Sequence, residues 1–166
     1  PTTTPKAIFV SAFRDMPLSA DFEVELRGEE TNFQTGLSAL SKIAKTYLGI
    51  SAQQTNAALT SAKDVEVTVF DGPCPAANVD VQINHLSPVN KGETVWRVDP
   101  TFVLFIGRLF NTGRVDMTRT VALAGSEMAD PSYVKTMYGA QLSSVVGSQL
   151  SSENGVRLIT GNPMTG

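Results

Sequence analysis

A single histidine, a single cysteine and sixteen carboxylates are the chemically versatile side chains of this sequence, and their spacing decides how much chemistry they support. His85 stands beside Leu86 at the end of a helical pattern. With no second imidazole and no Gly-x-Ser-x-Gly elbow, it reads as a partly buried helix-end residue, not as the base of a triad. Cys74 lies between Pro73 and Pro75. A thiol becomes a strong nucleophile where a cation or a helix terminus lowers its pKa; no Lys or Arg adjoins this one in sequence, so it reads as a turn residue. One cysteine also excludes an internal disulfide and any zinc or iron–sulfur site built from thiolates of this chain alone. Glu29 and Glu30 are helix-start carboxylates before they are a catalytic dyad, and Trp96, alternating with Arg97, reads as a core aromatic. No two of the thirteen glycines lie two apart. Gly-x-Gly-x-x-Gly therefore cannot occur, and no Gly-Lys-Ser/Thr phosphate loop is present. These residues assign no catalytic, cofactor-binding or metal-binding position.

The elements that would position any site are easier to read. Val65, Val67 and Val69 alternate with Glu66 and Thr68, the period of a strand with one buried face. Asp71 and Gly72 suit a tight turn, and Pro73 and Pro75 remove two ladder donors, so the strand ends near Phe70. Ala76, Val79, Ile83 and Leu86 then mark one face of a helix. Strand, stiff turn and covering helix are the repeating unit of an open α/β sheet, whose ligands and partners bind beyond the carboxyl ends of the strands. Asp71, Gly72, Pro73, Cys74 and Pro75 thus form a candidate contact surface. Its prolines fix φ on both sides of Cys74, which favours docking over an induced closure.

Along the chain, residues 1–5 read as a linker and 7–13 as a first buried strand. The alternation Phe22, Val24, Leu26 suggests a small strand inside a long loop. Phe33, Leu37, Leu40 and Ala44 stripe a helix opened by Glu29 and Glu30. Residues 46–50 read as a strand, 53–62 as a weak helix and 94–98 as a strand. Asp99 and Pro100 start a helix over 101–110 that is apolar almost all round, and so is buried on most sides by the sheet or by another subunit. The expected sheet is mostly parallel, built from 7–13, 46–50, 65–70, 94–98 and 120–125, with helices on both faces and right-handed crossovers. Beyond it, 133–138 and 156–160 read as strands around a helix at 142–146. The division falls into an α/β domain at 1–118 and a second, partial module at 119–166.

Composition sets outer limits. With 42% hydrophobic and 17% charged residues the chain can bury a full core. A net charge of −3 without a basic cluster makes nucleic acid a poor partner. No apolar run approaches the roughly 18 residues needed to cross a bilayer, and no charged-then-apolar leader is seen; the expectation is a chain that neither spans nor is exported. Both ends look cut, as in an internal piece of a longer protein.

Six motifs in order then resemble one family. They are Lys-Ala-Ile-Phe-Val-Ser-Ala at 6–12, Val-Phe-Asp-Gly-Pro-x-Pro-Ala at 69–76, Leu-x-Pro-Val-Asn at 86–90, Leu-Phe-x-Thr-Gly at 109–113, Val-Ala-Leu-Ala-Gly at 121–125 and Val-Arg-Leu-Ile-x-Gly at 156–161. Together they are similar to the A subunit of the sodium-translocating NADH:quinone oxidoreductases. The resemblance implies a Rossmann-like three-layer domain followed by the start of a β-grasp (SLBB-like) module. It implies a peripheral subunit on the cytoplasmic face of the bacterial inner membrane, in a pump that reduces ubiquinone or menaquinone. Its partners would be the other subunits, especially the membrane subunits, with a quinone possible and no nucleic acid. Kinship to the flavoprotein subunit of complex I is implied as well, with the flavin and NADH sites lost here; the pump's flavins and iron–sulfur centre sit on other subunits. Asn90, in the Pro-Val-Asn motif, joins the candidate contact surface. The family carries histidines in the helix after Phe-Asp-Gly-Pro, where this chain has Gln82 and Asn84, so a role needing imidazole does not carry over. The alternative is an independent nucleotide- or small-molecule-binding α/β enzyme.

Overall fold

A computed structural model describes residues 2–152 and 154–164. Four parallel strands form the main sheet: β1 (Ala7–Ser11), β2 (Lys45–Ser51), β3 (Glu66–Phe70) and β4 (Val95–Arg97), in the spatial order β3-β2-β1-β4. β1 and β2 are the central strands and the most apolar ones, because both of their faces are covered. Ile8, Val10, Leu48 and Ile50 point to one side. There they meet α1 (Phe22–Leu26), α2 (Glu30–Ser41), α3 (Ala57–Thr60) and α5 (Pro100–Thr112), through Leu26, Phe33, Leu37, Leu59, Val103 and Leu104. Ala7, Phe9 and Tyr47 point to the other side, under Val79, Ile83 and Leu86 of α4 (Val79–Leu86). Phe9 and Tyr47 stack with centroids 4.8 Å apart. The result is the expected three-layer, Rossmann-like arrangement.

Local chemistry explains the helix ends. Asp99 accepts from the Thr101 N–H at 2.9 Å, Pro100 occupies the first turn, and Gly113 ends α5 at φ 71° with its N–H on the Leu109 carbonyl. These are an N-cap, a proline where no donor is missed, and a left-handed C-cap. Asn78 caps α4 in the same way through Asp80 N–H, so that helix begins at Val79, after Ala76.

Where α2 meets α5 the backbones touch. A Cβ on Gly36 would overlap the Val103 carbonyl oxygen, and one on Gly107 would overlap the Asn32 carbonyl oxygen. Beside this contact the Arg108 side chain, 8% exposed as a residue, makes a two-pronged pair with Glu29: Nε to Oε2 at 3.1 Å and Nη2 to Oε1 at 3.0 Å.

Several expectations are corrected. Residues 22–26 form a helix, not a strand: Asp21 caps it through Glu23 N–H, and Phe22 and Leu26, one turn apart, are both buried. The helix expected over 53–62 shrinks to α3. Val69 is exposed: β3 is the sheet edge, and of its alternating valines only Val65 and Val67 pack against the core.

The fifth parallel strand does not exist. Residues 118–123 are β5 (Thr118–Leu123), paired antiparallel with β6 (Ser132–Met137) in a separate two-stranded sheet. The steps β1 to β2 to β3 run one way across the sheet with α2 and α3 on one face. The step to β4 reverses direction, and α4 changes face, which preserves the hand of the crossover. A further strand outside β4 would need its helix on the α4 face; α5 lies on the α2 face, so the chain leaves the sheet.

The chain divides into two compact units, one of Pro1–Asp15 with Asp21–Asp116 and the other of Met16–Ala20 with Met117–Gly166. In the second, α6 (Leu142–Val146) occupies the span expected for it. Residues 156–160, read as a strand, form no ladder, and Leu158 and Ile159 are exposed. Among the described residues no helix is long and apolar enough to cross a membrane.

Candidate functional site

The sheet order reverses between β1 and β4. Beyond their carboxyl ends lies a cleft of about 610 Å³, the place where open α/β sheets hold ligands. Phe13, Val79, Val98, Pro100 and Phe102 give it apolar walls. Arg14, Arg97 and Asp99 supply its charge, and each cation has a carboxylate: Arg14 to Asp99 at 3.3 Å, Arg97 to Asp80 at 3.1 Å. Sequence reading placed Asp99 as an N-cap, which it is, and passed over Ser11, Arg14 and Arg97. Only the topology brings them together.

The candidate surface after β3 leads into this cleft. Asp71, Gly72, Pro73, Cys74 and Pro75 are all exposed, and the Cys74–Pro75 peptide bond is cis. Hydrogen bonds from Ala76 N to the Pro73 carbonyl and from Asn78 N to the Pro75 carbonyl fold the segment on itself. Its far end is clamped. Ala77 donates its N–H to Asp15 Oδ2 at 2.9 Å, and its carbonyl accepts from Ser11 Oγ at 3.0 Å. Gln82, 1% exposed, donates through Nε2 to Ser11 Oγ and to the Ala76 carbonyl. Its amide occupies space that a Cβ on Gly49 would fill. Gln82 therefore serves as a buried polar strut, a role that its sequence position does not reveal.

Asn90 does not share this surface. It precedes β4, at the amino end of the sheet, where its N–H and side-chain amide donate to Glu93 Oε2 at 2.9 and 3.2 Å. That backbone hydrogen bond, followed by Lys6 at 2.9 Å, holds the Glu93 carboxyl below its ordinary range. His85 is exposed in the last turn of α4. Trp96 packs against the core. Among the described residues no three His, Cys, Asp or Glu side chains are grouped to hold a metal ion.

In each of the four strand-end loops some backbone donors have side-chain acceptors. Asp15 takes Ala77 N–H, Asp21 takes Glu23 N–H, and Glu23 Oε1 takes both Thr55 and Asn56 N–H at 3.1 and 3.0 Å. Gln54 accepts from Ser51, Asn56 from Ala58, Asn78 from Asp80 and Asp99 from Thr101. A phosphate cradle needs such donors turned to the ligand. Here four carboxylates stand among the acceptors, and they would also repel an anion.

A doubly wound α/β domain with a self-capped rim, joined to a small antiparallel β unit, is thus the class of protein defined by fold and site. Residues 1–115 match the family model described as the NqrA second alpha/beta domain, and residues 120–166 match the NQRA C-terminal domain. The chain belongs to the NqrA family. It is 35% identical over 166 residues to the A subunit of the Na(+)-translocating NADH-quinone reductase of Pseudomonas aeruginosa, covering 100% of this chain and 37% of that protein. The same subunit of Hahella chejuensis is 37% identical over 163 residues, covering 98% of this chain and 36% of the relative. That of Serratia proteamaculans is 35% identical over 169 residues, covering 100% and 37%. The chain spans little more than a third of the length of these relatives.

Proposed function

We propose that this chain is a cofactor-free structural portion of the NqrA subunit of a sodium-translocating NADH:quinone reductase. It contributes to quinone reduction through assembly and shape, on the cytoplasmic face of the membrane and against the membrane subunits. Flavin and iron–sulfur chemistry belongs to other subunits, and the quinone is reduced at a site to which this chain lends surface. Family membership supports the subunit role. The observation that supports the lack of a nucleotide is at the rim, where Asp15, Asp21, Glu23 and Asp99 take backbone N–H groups of Ala77, Glu23, Thr55, Asn56 and Thr101. We also take the α/β domain to run through residue 118 and 119–166 to be part of a β-grasp module.

In this reading Asp71, Gly72, Pro73, Cys74 and Pro75 are a contact surface. In the assembled pump, Cys74→Ser leaves NADH-driven quinone reduction nearly unchanged, whereas Pro73→Ala, by loosening a segment of fixed φ, weakens retention of the NqrA subunit during purification. Loss of turnover by Cys74→Ser in a fully assembled complex would make the thiol a chemical group and the reading wrong. The cleft between β1 and β4 favours a second reading, a small-molecule-binding α/β enzyme. Saturable binding of NADH or flavin by this chain would support it.

A further inference from the structure

Ala77 joins the segment after β3 to the start of α4, and both of its backbone groups are taken by side chains from the end of β1 and the loop beyond it. Its N–H donates to Asp15 Oδ2 at 2.9 Å and its carbonyl accepts from Ser11 Oγ at 3.0 Å, across 62 and 66 residues of sequence. The chemistry of a hydroxyl orders what lies beneath. The single Ser11 proton goes to the Ala77 carbonyl, so Ser11 Oγ meets Gln82 Nε2 as an acceptor, at 3.0 Å. The same Gln82 nitrogen also donates to the Ala76 carbonyl, at 3.1 Å. By contrast, the hydrogen bonds from Ala76 N to the Pro73 carbonyl and from Asn78 N to the Pro75 carbonyl give the segment its shape without tying it to the sheet. Pro73 and Pro75 have no N–H with which to do so.

We propose that Asp15 is a positioning residue for the segment from Asp71 to Pro75, acting through Ala77. The proposal rests on the reading of that segment as a contact surface. Fixed φ at Pro73 and Pro75 stiffens the segment, but a stiff segment free to swing about its end still loses entropy when it docks. The hold on residues 76 and 77 removes that freedom. Within it Asp15 contributes most, because a backbone N–H makes a stronger hydrogen bond to a carboxylate than to a neutral acceptor. Asp15 is partly buried, and among the described residues its carboxylate makes no ion pair. A substitution there removes the Ala77 bond and leaves the core residues Val10 and Ala12 in place.

The test is amide hydrogen exchange, followed by mass spectrometry, of Asp15→Ala and Asp15→Asn in the full-length subunit. In Asp15→Ala, peptides spanning residues 71–78 exchange about tenfold faster, the scale of one lost hydrogen bond to a charged acceptor. Asp15→Asn keeps an oxygen that can accept from Ala77, and so restores most of the protection. Peptides from β2 and α5 keep their rates in both variants, which a general loosening of the domain would not allow. Unchanged exchange over 71–78 in Asp15→Ala, a rise shared by β2 and α5, or an Asn variant no better protected than the Ala one would each overturn the proposal. Retention of the same variants in the purified pump reads the contact surface separately. Faster exchange over 71–78 with retention unchanged would uphold Asp15 as the positioning residue and refute docking by the segment, so the two can fail independently.

Discussion

Gly107→Ala lowers the stability of the α/β domain by about 3 kcal/mol, the upper part of the range for overpacking a closed interior. In thermal unfolding this is a fall in Tm of roughly 10 °C for a domain of this size. The sign has to be argued, because alanine in a helix interior is favoured over glycine by about 1 kcal/mol. The missing Cβ decides it. At Gly107 the added methyl would overlap the Asn32 carbonyl oxygen, which belongs to the backbone of α2 and cannot swing aside as a side chain would. The helices must separate, and the contacts of Val103 and Leu104 with Phe33 and Leu37 loosen with them. Gly36→Ala, against the Val103 carbonyl, behaves alike. A change below about 0.5 kcal/mol, the level of ordinary surface substitutions, would mean that α2 and α5 are not in backbone contact.

Arg108→Ala, or Glu29→Gln, costs about 3–5 kcal/mol, since either leaves a charge or polar group buried without the partner that offset its desolvation. The pair is better placed than the other ion pairs of the domain. Both guanidinium prongs are used, the ring of Phe105 lies 5.7 Å from the Arg108 guanidinium carbon, and Asn32 Nδ2 donates to the same carboxylate at 2.7 Å. Side-chain exposures of 10% and 22% keep solvent screening small. Denaturant unfolding therefore shows the loss at low and at high salt, and a double-mutant cycle with Glu29 returns most of it as coupling. Replacing both residues by apolar side chains of similar size costs much less than either single change. A loss under about 1 kcal/mol that vanishes in salt would place the pair with exposed surface bridges.

The fold was legible in the sequence wherever periodicity met punctuation. Asp99 with Pro100, the alternation around Val67, and the stripe Phe33, Leu37, Leu40 each carry a physical instruction that the structure follows. Residues 22–26 misled because Phe22, Val24 and Leu26 satisfy a strand period while Phe22 and Leu26 also satisfy a helical one; Asp21 as N-cap was the deciding signal. Residues 120–125 were assigned to the main sheet because an apolar run says nothing about which edge receives it. That depends on the face chosen by α5, which no local pattern encodes. The site was the least legible part. Ser11 and Asp15 lie far in sequence from Ala76, Ala77 and Gln82, and the joint hold of Ser11, Asp15 and Gln82 on Ala76 and Ala77 exists only once β1 and α4 are neighbours.

As proposed above, this chain lends surface to a redox machine and holds no redox group. The direct measurement is the flavin content of the purified chain, read by fluorescence after denaturation, together with a titration of the native chain with flavin mononucleotide and NADH. The expected result is a colourless protein, no flavin released, and no saturable binding of either nucleotide, because Asp15, Glu23 and Asp99 hold the rim N–H groups of Ala77, Thr55, Asn56 and Thr101 and would repel a phosphate. One flavin per chain, or saturable binding that Arg14→Ala or Arg97→Ala abolishes, would contradict it and make the cleft between β1 and β4 a working nucleotide site.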